Sequence, residues 1–98
     1  MYEITFRAIA IEEYEEAIKW YQGKSVPAAE KFVKSIDEKL DRISDNPQQY
    51  KNLFKKYYEA STKKYPYNIV YVIEEKLQKV VIVSIYHHKR SPKKKYRK

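Results

Sequence analysis

Between Tyr67 and His87 the chain carries two nearly unbroken runs of β-branched and aromatic residues, YNIVYVI and KVVIVSIYH, with a short polar stretch between them. Runs of this length and composition suit strands covered on both faces, and so short a connection makes them antiparallel neighbours. The looser alternation of KYYEASTKK, set apart by Pro66, adds a third strand and completes an antiparallel meander. Such a sheet needs a second layer over its apolar face.

The first half of the chain supplies that layer. Tyr2–Phe6 alternates apolar and polar side chains, the pattern of a half-buried strand, and should add at one edge of the sheet. From Ala10 the period changes: Ile11, Tyr14, Ala17 or Ile18, and Tyr21 recur every three to four residues, with Glu12, Glu13, Glu15, Glu16 and Lys19 on the other face. This predicts an amphipathic helix ending near Gly23, the only glycine and a natural C-terminal cap, with the acid cluster as a solvated face. Tyr14, Trp20 and Tyr21 at helical spacing read as core rather than as a platform for nucleic-acid bases. Ser25 and Pro27 then start a second helix, whose buried line is Ala29, Phe32, Val33, Ile36, Leu40 and Ile43 and which stops at Asn46-Pro47. Residues 46–54 read as a loop. The expected fold class is α+β: an N-terminal strand, then an antiparallel two-helix hairpin packed on an antiparallel sheet of about four strands, in a single domain over residues 1–98 with a basic tail at 91–98.

Charge divides the chain unevenly. Of the net +8, residues 1–49 contribute −3 and residues 50–98 contribute +11, and the last ten residues or so are dominated by Lys89, Arg90, Lys93, Lys94, Lys95, Arg97 and Lys98. A segment of this kind attracts phosphate backbones or an acidic protein through long-range electrostatics, or simply keeps the chain soluble. The absence of cysteine excludes disulfides and thiolate chemistry. No apolar run reaches the roughly 20 residues needed to span a bilayer, and the acidic N-terminus is unlike a signal peptide; the expected location is cytoplasmic, with no membrane partner.

Near the C-terminus, Tyr86-His87-His88-Lys89-Arg90-Ser91-Pro92 gathers proton-exchanging and phosphate-binding side chains. Together with Ala28-Ala29-x-x-Phe32, Pro47 and the Tyr65-Pro66-Tyr67-Asn68-Ile69-x-Tyr71 entry to the central strand, its order and spacing resemble the RelE/ParE toxins of bacterial type II toxin–antitoxin systems, also called plasmid stabilization proteins. The resemblance spans nearly the whole chain. It implies a cytoplasmic toxin held by a cognate acidic antitoxin, a small chain whose helix or strand lies across the basic sheet face. It also implies one of two activities: the expected one is ribosome-dependent cleavage of mRNA, as in RelE-like members, because the histidine and the cationic tail serve phosphate chemistry directly; the alternative is inhibition of DNA gyrase without nuclease action, as in ParE-like members. A toxin that has lost its activity and survives as an antitoxin-binding module is a further alternative. The chain departs from the family where an arginine often begins the strand before the Tyr-Pro-Tyr entry. Here Tyr57-Tyr58-Glu59 stands instead, with Tyr58 at the arginine's place.

For cleavage, the 2′-hydroxyl needs a base and the phosphorane needs cations, with no metal or cofactor. His87 and His88 have the pKa range for that proton transfer, and if the strand continues through both, alternation allows only one of them to face the site. Motif position favours His87 as the catalytic histidine, with Arg90 as a bidentate phosphate ligand; the plain alternative for His87 is packing at the sheet end. Lys63, Lys64 and Lys89 would hold the RNA, and Tyr96, between Lys95 and Arg97, would stack on a base. Glu59 is either a second candidate base or the cross-strand partner of a lysine.

Overall fold

The computed structural model describes residues 1–89. The elements follow in the order β1 (Glu3–Phe6), α1 (Ala8–Gln22), α2 (Val26–Asp45), β2 (Lys51–Phe54), β3 (Tyr57–Ser61), β4 (Tyr67–Glu74) and β5 (Lys79–His87), with single 3-10 turns at Pro47–Gln49 and Glu75–Leu77. The sheet order is β1-β5-β4-β3-β2. Strands β2 to β5 form the antiparallel meander, and β1 lies at the edge, parallel to β5, with Glu3 beside Lys79 and Phe6 beside Ile82. The α+β class and the hairpin-on-sheet arrangement hold, with five strands in a mixed sheet. The parallel pair follows from chain direction: six reversals separate β1 from β5, so the two run the same way.

Local chemistry explains the helix boundaries. The Ser25 hydroxyl accepts the Ala28 amide at 3.0 Å, and Pro27 sits in the first turn of α2. Gly23 does cap α1, yet its φ is −63°, so it stays right-handed and donates to the Lys19 carbonyl like any helical residue. The stretch 46–54 is not all loop: Lys51–Phe54 forms the short edge strand β2. The turn that joins β2 to β3 holds Lys55 at a φ of 49° and is braced by the Asn52 side-chain amide, which donates to the carbonyls of Lys55 and Tyr57.

The main core lies between helices and sheet. Phe32, Ile36 and Ile43 of α2 and Ala10 and Ala17 of α1 meet Ile69, Tyr71 and Ile73 of β4 and Val80, Ile82 and Ile85 of β5. Ile11, expected on the buried face, is exposed, and the small side chains of Ala10 and Ala17 let α1 approach the sheet instead. Tyr21 stacks on Phe32 with ring centroids 4.7 Å apart, and Tyr65 meets both edge-on at 5.3 Å. The opposite face of the sheet carries a smaller cluster of Val70, Val72, Val83 and Tyr86.

Tyr71 is fully buried, stacks on Tyr58, and donates its hydroxyl to the Pro47 carbonyl at 2.5 Å, which fastens the α2–β2 connection to the central strand. Burial is the main cause that raises its pKa well above the ordinary phenol range. Replacing Tyr71 by Phe strands the Pro47 carbonyl and should cost about 1–3 kcal/mol in urea unfolding. Tyr58→Phe, which removes no hydrogen bond of this kind, should change stability by clearly less.

Candidate functional site

Beyond Ile82, strand β5 loses its neighbour on one side. The Arg7 amide donates to the Ile82 carbonyl at 2.9 Å, and at Ala8 the chain leaves the sheet as α1. An unpaired strand edge exposes N–H groups that need acceptors. Glu13, one turn into α1, supplies one: its Oε1 accepts the Ile85 amide at 2.9 Å and the Ser84 hydroxyl at 2.8 Å. Glu13 thus differs from the solvated acid read from sequence, because it turns inward to do what a neighbouring strand would do.

This clamp fixes α1 beside the end of β5 and leaves a cleft of about 180 Å³ between them, walled by Glu13, Glu16, Trp20, Tyr67, Tyr86 and His87. Trp20 is half exposed here, correcting its assignment to the core; Tyr21 meets its ring edge-on and the Lys24 ammonium lies 4.8 Å from its centroid. The His87 ring stands edge-on to Tyr67 at 5.2 Å, and its Nδ1 accepts the Lys89 amide at 3.2 Å. A neutral His87 therefore carries its proton on Nε2. His88 lies in the turn after β5, exposed, with its amide donating to the Pro66 carbonyl. β5 ends at His87, so strand alternation does not extend to His88; the two imidazoles stack with centroids 6.0 Å apart, and His87 borders the cleft while His88 is not part of its lining.

The other face of the sheet holds a polar cluster. The Tyr86 hydroxyl donates to Glu59 at 2.5 Å, and the Asn68 amide donates to the same carboxylate oxygen and to the Tyr86 oxygen, each at 3.2 Å. Glu59 is thus engaged by a tyrosine and an asparagine on adjacent strands. Sequence reasoning noted Asn68 and Tyr86 only as motif residues. Their pairing opposite one another in β4 and β5 is the signal that would have joined them.

Lys63 and Lys64 do not line the cleft at His87; they border a separate groove against α2. Lys89 is exposed just after β5 and reaches His87 through its backbone. Tyr58, at the place of the family arginine, lies on the helix side of β3 against Tyr71. Arg90 and Tyr96 lie outside the described residues, as does the 91–98 tail. Among the described residues no helix is long and apolar enough to cross a membrane, and no three His, Asp or Glu side chains gather as a metal ion would require.

The fold is that of the RelE and ParE toxins. The chain superposes on the chromosomal ParDE toxin–antitoxin system from P. aeruginosa with a TM-score of 0.73 and 14% identity, covering 89% of this chain and 96% of that one. It superposes on the isolated E. coli RelE toxin with a TM-score of 0.66 and 17% identity, covering 89% and 84%, and on the intact E. coli RelBE complex at 0.63 and 16%, covering 87% and 94%. No curated protein matches by sequence. The family model for the ParE toxin of the type II toxin–antitoxin system parDE matches residues 4–92, and the chain belongs to that family.

The clamp is open to a direct test. Glu13→Ala should raise the hydrogen-exchange rate of the Ile85 amide by about tenfold or more, in line with a loss of roughly 1–3 kcal/mol, whereas Glu13→Gln, which keeps an acceptor oxygen, should protect it much better.

Proposed function

We propose that this ParE-family toxin acts by binding DNA gyrase rather than by cutting RNA, that its site of action is the cytoplasm, and that a cognate antitoxin restrains it. The observation that carries this reading is that, among the described residues, His87 and the lysine pair Lys63 and Lys64 border different clefts. Metal-free cleavage needs a proton acceptor and cations gathered on one phosphate. His87 instead shares its cleft with the carboxylates Glu13 and Glu16, which repel a phosphate, while Lys63 and Lys64 serve another groove. The ParE family match supports the same reading. Solved relatives include a RelBE complex and a RelE mutant bound to an antitoxin RelB peptide, which supports an antitoxin partner for this chain. Its net charge of +8 favours an acidic one.

A second reading keeps the ribosome-dependent mRNA endoribonuclease. It is supported by His87, whose ring borders the cleft at the end of β5, and by the cations that follow it in sequence. In that reading His87 exchanges the proton, Arg90 stabilises the phosphorane, and Lys63, Lys64, Lys89 and Tyr96 hold the RNA.

Two assays on the purified chain separate these readings. Under the gyrase proposal, supercoiling of relaxed plasmid falls as toxin is added, and primer extension on mRNA from cell-free translation finds unchanged 5′ ends. New 5′ ends that require ribosomes, His87 and Arg90, with supercoiling unimpaired, would overturn the proposal in favour of the nuclease. A chain that leaves both assays unchanged and does not arrest growth on expression is an inactive antitoxin-binding homologue.

A further inference from the structure

We infer that the groove between α2 and the loop from Thr62 to Tyr65 is a separate contact surface for the phosphate backbone of duplex DNA. The groove has a volume of about 830 Å³ and is bordered by six cations: Lys31, Lys34, Lys39 and Arg42 of α2, and Lys63 and Lys64 of the loop. One carboxylate, Glu38, shares the lining. None of the six cations forms an ion pair among the described residues, where the pair formed is Lys56 with Glu74. Charges of one sign held this close repel each other, and an anion laid along the groove relieves that repulsion. The same crowding is felt at Lys39, whose ammonium is pushed below its ordinary range first by burial and then by Arg42 and Lys63.

The groove's other features select the anion. Its lining also offers the hydroxyls of Ser35 and Tyr50, and such groups contact phosphate oxygens alongside Lys and Arg, while the buried Thr62 hydroxyl is spent on the Tyr65 and Tyr67 carbonyls. An acidic peptide would need apolar pockets for anchoring side chains, and this groove lacks an aliphatic lining. Unpaired bases would need open aromatic faces. The Tyr50 ring is covered by the Lys39 ammonium, 5.1 Å from its centroid, and the Tyr65 ring is packed against Tyr21 and Phe32. A paired backbone is what remains. From Lys31 to Arg42 the helix runs about 16 Å at 1.5 Å per residue, long enough to follow a few successive phosphates of one duplex strand. Contacts of this type fix position on the duplex without reading sequence.

This surface goes beyond the gyrase proposal, since it concerns DNA alone and is read without gyrase or ribosomes. Binding of the full chain to a short labelled DNA duplex would be followed by fluorescence anisotropy over a range of salt. The groove variant Lys39→Gln/Arg42→Gln/Lys63→Gln would be compared with a matched variant, Lys19→Gln/Lys55→Gln/Lys76→Gln, which loses the same charge elsewhere. The groove variant should bind about tenfold or more weakly and flatten the log–log salt slope by about 2 to 3, while the matched variant stays close to wild type. Equal losses in the two variants would show that net charge alone binds DNA and would overturn the assignment. Tighter binding to single-stranded RNA or to a polyglutamate peptide than to the duplex would overturn it as well. Circular dichroism checks the fold of each variant, and Lys63→Glu, a single change on the exposed loop, keeps the test decisive should the triple variant unfold.

Discussion

Much of this fold depends on how the free flank of β5 is closed. The strand is buried through Val80, Ile82 and Ile85 and must satisfy its backbone on both sides. β4 does so along its whole length, but β1 is four residues long and stops at Phe6. The remaining edge is met by a side chain, the Glu13 carboxylate, reaching out of α1. That solution requires α1 to begin at once after β1 and to lie along β5. It thereby sets the position of Trp20 and Glu16 opposite His87.

The aromatic cluster of Tyr21, Phe32, Tyr65 and Tyr67 then ties the helix hairpin to the β3–β4 connection. It also acts as a partition. On one side lies the cleft at His87, with its carboxylates and indole; on the other lies the lysine-bordered groove of α2. Because the partition is packed core, the two surfaces keep separate electrostatic characters even though the residues bounding them, Lys64, Tyr65, Pro66 and Tyr67, are consecutive.

The elements with a strong period were legible from sequence. The β-branched runs of β4 and β5, the apolar line of α2 and its Ser25 cap stand where their chemistry put them. β2 was not legible, because a four-residue edge strand whose exposed positions are Lys51, Asn52 and Phe54 has the composition of a loop. Nor was the role of Glu13, since a carboxylate on an amphipathic helix reads the same whether it meets water or an orphan amide. At the site, strand alternation gave no separation of His87 from His88, because β5 ends at His87 and the turn that follows stacks the two rings. The cations were harder: Lys63 and Lys64 stood out as a pair, but their counterparts on α2 lie some thirty residues earlier on a helix face that reads as solvated. Only the tertiary fold joins them.

The β1–β5 pairing has a temporal consequence. Among the described residues β1, the first strand, is paired with β5, the last, so the pairing is highly non-local. Contacts of that kind form late, after the entropy of closing the whole loop has been met. During synthesis the helix hairpin is complete long before β5 leaves the ribosome, yet neither the edge clamp nor the cleft at His87 can exist until it does. A growing chain therefore has neither until β5 has emerged and paired with β1 and β4.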